Sequence, residues 1–129
     1  MARIMVIDDE PLICEMLQVV LSRAGHDVLT ASNGIEALHL IGEDGAVELV
    51  IADIVMPEMD GLETIVQLRK RHPGLKVIAI SGGSRIGNAD FLAMAERLGA
   101  SETFYKPLDN DELLVAIGRC LNDSERDGS

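Results

Sequence analysis

Cysteine and aromatic residues are scarce in this sequence, and long apolar runs are absent from it. Its 129 residues include two cysteines, two phenylalanines, one tyrosine and no tryptophan. Two cysteines, Cys14 and Cys120, are too few for a disulfide framework or a zinc site, and so few rings do not form a base-stacking platform for nucleic acid. No run of about 18 apolar residues predicts a membrane span, and no basic, apolar leader with a small-residue cleavage site begins the chain. We therefore expect a cytoplasmic protein.

Positive charge is also scarce. Eleven Lys and Arg residues stand against 22 Asp and Glu residues, which gives a formal net charge of −11. The densest basic run, Arg69-Lys70-Arg71, lies at the end of a predicted helix. Because nucleic acids and anionic membranes attract clustered Lys and Arg, we expect this chain to bind neither directly. The acidity favours metal ions and basic partners instead.

Short apolar segments alternate with longer segments of helical periodicity. The apolar segments predict five strands, at residues 4–7, 28–31, 49–52, 77–80 and 103–105. Strict alternation of strands and helices predicts an α/β fold, with a parallel sheet and helices on both of its faces. We expect one domain over residues 1–122 and a polar C-terminal tail over residues 123–129.

Polar side chains follow four of the five predicted strands. They are Asp8, Asp9 and Glu10 after the first strand, Asp53 after the third, Ser81 after the fourth and Lys106 after the fifth. The carboxyl ends of parallel strands meet at one edge of an open sheet, and ligands bind there. We therefore expect carboxylates, a hydroxyl and an ammonium group on a single rim.

The carboxylates on this rim indicate a divalent cation. Carboxylates in close proximity repel one another, and without a cation at least one of them is driven toward protonation. Mg²⁺ suits the site, since it takes one or two carboxylates, keeps several waters and accepts a phosphate oxygen. Helix capping is the alternative for Asp8, Asp9 and Glu10, because acids are favourable at a helix N-terminus. The presence of Asp53 on the same rim favours the metal.

The same residues suit phosphoryl transfer, in which a protein mainly positions groups and stabilises charge. Asp53 is the best candidate for a carboxylate nucleophile that forms an acyl phosphate, because the third strand lies near the middle of the sheet. Lys106 would neutralise phosphoryl oxygens, and Ser81 would donate a hydrogen bond to one. The alternatives are a surface lysine and a turn serine.

Four sequence motifs in this order resemble the receiver domain of two-component response regulators. They are Asp8-Asp9, Asp53 with Met56-Pro57 and Asp60-Gly61, Ser81, and Lys106-Pro107. The resemblance covers about residues 3–121. It implies a flavodoxin-like (βα)5 fold, in which a doubly wound, five-stranded parallel sheet has the order 2-1-3-4-5.

The resemblance also implies roles for the acidic residues. Asp53 would be the phosphorylated aspartate. Asp9 and Asp53 would bind Mg²⁺ together with the backbone carbonyl of Val55, and Asp8 would act largely through a metal-bound water. The apolar side chain of Val55 cannot orient an attacking water, which predicts slow loss of the phosphoryl group.

The remaining roles concern the phosphoryl group and the switch. Ser81 and Lys106 would bind the phosphoryl group, and Ser81 would reorient on activation. The family often has an aromatic switch residue three positions before the lysine, but Thr103 occupies that position here. Gly82-Gly83 replaces the alanine that usually follows the serine, and glycine widens the backbone choices of that loop.

The resemblance further implies the partners. The phosphoryl donor would be a phosphohistidine on a sensor histidine kinase or a phosphotransfer protein, and a downstream protein would dock on the face formed by helix four, strand five and helix five. We expect a monomer or an activation-dependent dimer, and no enzymatic activity beyond the chain's own phosphorylation and dephosphorylation. The sequence leaves open whether the chain is a stand-alone regulator or part of a longer one.

Three rival functions fit the sequence less well. Haloacid-dehalogenase-type phosphatases also use an aspartyl nucleophile with Mg²⁺, but they need a second Asp two residues later, where this chain has Val55. Flavodoxins need a Ser/Thr/Gly phosphate loop after strand one, where this chain has Asp8-Asp9. A receiver-like domain that signals by binding alone would not need the complete set of acids, Ser81 and Lys106.

Overall fold

Five strands alternate with five helices over the residues that the computed structural model describes, which are 2–43, 45–54, 61–81 and 91–127. The strands are β1 (Arg3–Ile7), β2 (Asp27–Ala31), β3 (Leu49–Asp53), β4 (Lys76–Ser81) and β5 (Glu102–Tyr105). The helices are α1 (Pro11–Arg23), α2 (Gly34–Glu43), α3 (Gly61–Arg71), α4 (Phe91–Arg97) and α5 (Asn110–Asp127). Every predicted strand is confirmed, with its ends within one residue of the predicted bounds.

The strands form one parallel sheet with the order β2-β1-β3-β4-β5. This order confirms the doubly wound α/β fold. Its register aligns Ile7 of β1 with Ala52 of β3, and Asp53 of β3 with Ile80 of β4. Consequently the residues that end or directly follow β1, β3 and β4 lie at the same level, at the carboxyl edge of the sheet.

Apolar layers on both faces of the sheet hold the fold together. All five residues of β3 are buried, as a central parallel strand covered on both faces requires. On one face, alternate residues of β1, β3 and β4 pack with α1 and α5, through side chains such as Leu17, Leu21, Leu113 and Ile117. On the other face, the intervening residues pack with α2 and α3, through Ala37, Ile41, Ile65 and Leu68. Full burial of each large aliphatic side chain contributes about 1.5–3 kcal/mol.

Local signals set the starts of the helices. α1 begins at Pro11, where the missing N–H of proline would have no intrahelical partner anyway. α2 begins with a capping box: the Glu36 N–H donates to Asn33 Oδ1 at 2.8 Å, and the Ser32 N–H donates to Glu36 Oε1 at 3.0 Å. α5 is capped by Asp109, whose Oδ1 accepts from the Glu112 N–H at 3.0 Å.

The C-terminal helix is longer than the sequence predicts. α5 continues to Asp127, past residue 122, where we placed the boundary of the domain. No Pro or Gly interrupts residues 119–127, so helical backbone bonds can continue beyond Cys120, which is buried. The division at residue 122 stays a prediction.

Membrane insertion is not indicated by the helices. Within the described ranges, none of them is both long enough and apolar enough to cross a bilayer.

Gly61 permits α3 to begin directly against the backbone of β3. Its N–H donates to the Ile54 carbonyl at 3.2 Å. A Cβ added at this position would lie within 2.8 Å of backbone atoms of both Asp53 and Ile54. Backbone atoms cannot rotate away as the end of a long side chain can, so Gly61 is required where it stands.

We expect Gly61→Ala to lower the free energy of unfolding by more than about 2 kcal/mol, because the start of α3 must move away from β3. The matched control is Gly118→Ala in α5, where a Cβ meets open space. It should raise stability by about 0.5–1 kcal/mol, since alanine is the better helix former. Urea denaturation followed by circular dichroism measures both changes. Equal stability of the two variants would contradict this explanation.

His26 links the start of β1 to the turn before β2. The Ala2 N–H donates to His26 Nδ1 at 3.1 Å, which requires that nitrogen to be unprotonated. Burial lowers the pKa of His26 below its ordinary value of 6.5. As the pH falls below about 6.5, the unfolded chain therefore takes up this proton before the folded protein does, and folding stability is lost.

We expect the wild type to lose more thermal stability than His26→Asn between pH 7.5 and pH 5.5. Asparagine offers an acceptor oxygen near the position of Nδ1 but does not titrate. Thermal melts of both proteins in matched buffers test this expectation. Parallel pH dependence of the two melting temperatures would show that His26 does not carry the effect.

Candidate functional site

The backbone of the sheet brings the polar strand ends together at its carboxyl edge. Asp8 directly follows β1, Asp53 ends β3, Ser81 ends β4, and Lys106 directly follows β5. Backbone bonds continue past the strands: the Asp8 N–H donates to the Ala31 carbonyl at 3.1 Å, and the Lys106 N–H donates to the Ser81 carbonyl at 2.9 Å. The positions of these residues are therefore fixed by the sheet itself.

Three carboxylates converge at this edge. Asp8, Asp9 and Asp53 each offer a carboxylate oxygen, and these oxygens lie within 4.8 Å of one another. Asp8 is 1% exposed and Asp53 is 3% exposed, whereas Asp9 faces solvent. Burial raises the pKa of Asp8, although bonds from Lys106 and from the Glu10 N–H act in the opposite direction. Closely spaced oxygen ligands that open to solvent through Asp9 suit a hard divalent cation such as Mg²⁺.

The ammonium group of Lys106 lies among these carboxylates. Its Nζ is 2.8 Å from Asp8 Oδ2, 3.2 Å from Asp53 Oδ2 and 3.5 Å from Glu10 Oε1, and the side chain is only 10% exposed. Burial alone would lower the pKa of Lys106, but the carboxylates of Asp8 and Asp53 outweigh it and raise that pKa above its usual range. Lys106 is therefore a permanent cation at physiological pH. The peptide bond between Lys106 and Pro107 is cis.

Ser81 places a hydroxyl group on the same edge. The residue is fully buried, and its Oγ has no hydrogen-bond partner among the described residues. A buried hydroxyl without a partner costs free energy. A ligand oxygen at the end of β4 would satisfy it.

The predicted switch residue, Thr103, lies farther from the edge than Ser81. The register of β4 and β5 places Thr103 beside Ala79, while Ser81 lies beside Tyr105. Tyr105 is 46% exposed. Sequence reasoning did not single out Tyr105, although the one-to-one register of parallel strands makes it the neighbour of Ser81. The role of Thr103 stays a prediction.

Several predicted elements lie outside the described residues. They are the Val55 carbonyl, the Met56-Pro57 and Asp60 positions, and the Gly82-Gly83 loop. The predicted metal contact of Val55 and the predicted slow loss of the phosphoryl group therefore stay predictions.

Two neighbours of Asp8 make contacts that the sequence did not predict. The Glu10 side chain was expected to cap α1 or bind metal, but α1 has no side-chain cap there, and its carboxylate lies toward Lys106. The Cys14 thiol lies 3.4 Å from the Asp8 carbonyl and donates to it. Burial, followed by the negative charge of Asp8, raises the pKa of Cys14, which keeps it a thiol at neutral pH.

The carboxyl edge of the sheet thus combines a cluster of carboxylate oxygens with the Lys106 ammonium and the Ser81 hydroxyl. Asp53 is the carboxylate that β3 places in the middle of this set. Its Oδ2 lies 3.2 Å from the Lys106 ammonium, and a carboxylate oxygen is a group that can act as a nucleophile and form an acyl phosphate. The set can therefore bind a divalent cation and a group rich in anionic oxygens, such as a phosphoryl group.

Comparison with known proteins points to one family. The sequence profile described as "Response regulator receiver domain" matches residues 4–118. Transcriptional regulatory protein GlrR of Escherichia coli K12 is 33% identical over 123 residues, which cover 95% of this chain and 27% of that protein. DNA-binding transcriptional regulator NtrC of Azospirillum brasilense is 37% identical over 121 residues, which cover 94% of this chain and 24% of that protein. The chain thus spans about a quarter of the length of these relatives.

Solved structures agree with the sequence comparison. The response regulator receiver domain protein from Clostridium thermocellum is 35% identical, with a TM-score of 0.85 over 97% of this chain and 98% of that one. The receiver domain of NtrX from Brucella abortus is 36% identical, with a TM-score of 0.84 over 92% of this chain and 98% of that one.

Replacing Asp8 with Asn is expected to raise the free energy of unfolding at pH 7 in the presence of a chelator. The raised pKa of Asp8 means that its ionised form is less favourable in the folded protein than in the unfolded chain. Asparagine removes that cost while Asp53 remains beside Lys106. As the pH falls, the wild type takes up a proton at Asp8 on folding, so its stability should approach that of the variant.

Urea denaturation at several pH values measures this difference. Asp9→Asn serves as the control, because Asp9 is exposed and its replacement should change stability less. A lower stability of Asp8→Asn at pH 7 would mean that the ion pair with Lys106 outweighs the cost of burial.

Proposed function

The chain belongs to the response regulator receiver domain family of two-component systems, and from this premise we propose that Asp53 accepts a phosphoryl group from a phosphohistidine donor. Mg²⁺ is the proposed cofactor. The observation that carries the proposal is the contact of the buried Asp53 carboxylate with Lys106, beside the oxygens of Asp8 and Asp9. The donor would be a sensor histidine kinase or a phosphotransfer protein.

Asp8, Asp9 and Asp53 would hold the Mg²⁺ ion, with the Val55 carbonyl as a further predicted ligand. Their closely spaced oxygens fit its preference for oxygen ligands, and the exposed Asp9 provides access from solvent. Bound there, the ion would offset the negative charge of the carboxylates and of the phosphoryl oxygens.

The transfer itself follows from the placement of the side chains. An oxygen of the ionised Asp53 carboxylate attacks phosphorus, the P–N bond of the phosphohistidine breaks, and its electron pair stays on the departing imidazole. Lys106 stabilises the charge on the phosphoryl oxygens. The Ser81 hydroxyl, which has no partner among the described residues, donates to one of these oxygens. The product is an acyl phosphate on Asp53.

The proposed output surface is the face formed by α4, β5 and α5. Exposed apolar side chains on this face support a protein partner, namely Met94 at 42%, Tyr105 at 46% and Val115 at 58% exposure. Tyr105 lies beside Ser81 in the sheet. This face therefore includes a strand neighbour of a residue at the proposed phosphorylation site. Thr103 remains the residue proposed at the family's switch position.

Other parts of the proposal concern the setting of the protein. We propose that the chain is cytoplasmic, acts as a monomer or as an activation-dependent dimer, and binds neither nucleic acid nor membrane directly. Its chemistry is limited to its own phosphorylation and dephosphorylation. The names of the relatives describe transcriptional regulators, but the likeness covers about a quarter of their length. The proposed output is a protein partner, and the DNA-binding activity that the name of NtrC states is not carried over to this chain.

Intact mass spectrometry after incubation with acetyl phosphate and Mg²⁺ tests the proposal. We expect the wild type to gain one phosphoryl group, and we expect the gain to disappear in Asp53→Asn and in the presence of a chelator. Asp27→Asn is the matched control, since Asp27 is exposed at the start of β2, at the opposite edge of the sheet.

A phosphohistidine donor provides the second arm of this experiment. No gain from either donor would refute the proposal and favour a receiver-like domain that signals by binding alone. A gain that persists in Asp53→Asn would place the modification on another residue.

A further inference from the structure

We propose that Glu10 is a positioning residue that draws Lys106 toward the solvent side of the site and thereby strengthens Mg²⁺ binding. This inference rests on the proposed function, because it concerns the metal site of Asp8, Asp9 and Asp53. It adds to that site a residue whose side chain contacts Lys106 and not the metal ligands.

The backbone of Glu10 is held firmly on both sides. Its N–H donates to Asp8 Oδ1 at 2.9 Å, and its carbonyl accepts from Ile13 and Cys14 at 3.1 and 3.3 Å. Pro11 follows it and restricts the backbone at the start of α1. Glu10 therefore begins from a fixed point directly beside Asp8.

The side chain of Glu10 is not used as a helix cap. Glu10 is the N-cap residue of α1, and an acidic side chain at an N-cap can accept a hydrogen bond from the helix backbone. The Glu10 side chain makes no such bond. Instead, Glu10 Oε1 lies 3.5 Å from Lys106 Nζ, and the Glu10 side chain is 59% exposed. Among the described residues, the carboxylates around Lys106 are thus two buried ones, of Asp8 and Asp53, and this one at the rim.

Lys106 and a divalent cation compete for the same carboxylates, and Glu10 can weaken this competition. Lys106 contacts one carboxylate oxygen of Asp8 and one of Asp53, and these two carboxylates are also offered to a divalent cation. Like charges repel, so the ammonium opposes the binding of a cation by these carboxylates while it stays in contact with them. Glu10 gives Lys106 a carboxylate that it can retain on the outer side. Without Glu10, Lys106 would remain on Asp8 and oppose the cation.

Titration calorimetry with MgCl₂ on the full chain tests this inference without measuring phosphorylation. We expect Glu10→Gln to weaken Mg²⁺ binding by about tenfold, which lies within the usual range of coupling between charged residues in contact. Glu15→Gln is the matched control: it removes the same charge from the first half of α1, close to Asp8 and Asp9, but Glu15 makes no ion pair with Lys106. It should change the affinity by less than about twofold.

A double-mutant cycle with Lys106→Met separates positioning from simple charge. If Glu10 acts through Lys106, Glu10→Gln should change Mg²⁺ affinity by less than about twofold in the Lys106→Met protein. An equal loss in both backgrounds would show that Glu10 acts by its charge alone and would overturn the inference. Should Lys106→Met fail to fold, equal losses in Glu10→Gln and Glu15→Gln would overturn it as well.

Failure of the inference and failure of the proposed function give different results. A wild type that binds no Mg²⁺, or that binds it equally well after Asp53→Asn, would contradict the proposed site. The other result is that the wild type binds Mg²⁺ through Asp53 and that Glu10→Gln binds it equally well. This result would contradict only the role of Glu10.

Discussion

The structure depends on an electrostatic balance at the carboxyl edge of the sheet. Asp8 and Asp53 are buried carboxylates, and Lys106 is the cation that contacts both. Removing Lys106 would leave both buried carboxylates without their cation, and such a loss typically costs about 3–5 kcal/mol. The balance is therefore stable only while each charge keeps a partner, and a ligand that alters one contact affects the others.

The location of Lys106 gives this balance a structural role as well. β5 is an edge strand with β4 as its neighbour, while Asp8 and Asp53 follow or end the central strands β1 and β3. The ion pairs thus join the end of an edge strand to the centre of the sheet. The apolar layers pack the helices onto both faces of the sheet, and the buried charges lie at its carboxyl edge.

Much of this fold is readable from the sequence because its signals are repetitive. Apolar strands covered on both faces produce short continuous runs such as residues 49–52, and parallel strands necessarily collect their last residues at one edge. These two facts place Asp8, Asp53 and Lys106 at one edge, while the strand order that brings them close was implied by the family resemblance. Pro11 and Gly34 stand at the starts of α1 and α2.

The features that escaped prediction depend on side-chain direction or on close packing. The sequence places Glu10 at the start of α1, but nothing local decides between capping that helix and contacting Lys106. Tyr105 becomes a neighbour of Ser81 only when the register of β4 and β5 is known. α5 continues past residue 122, and no Pro or Gly interrupts residues 119–127. Its polar composition predicted a tail instead.

The close approach of Gly61 to β3 has a mechanical consequence. The first turn of α3 rests on backbone atoms of Asp53 and Ile54, with no side chain between them to absorb a displacement. A shift of the Asp53 main chain would therefore displace the first turn of α3. Asp53, which we propose as the phosphorylation site, thus contacts the first residue of α3 through its backbone. α3 runs from Gly61 to Arg71, so a displacement at its first turn would also move its far end.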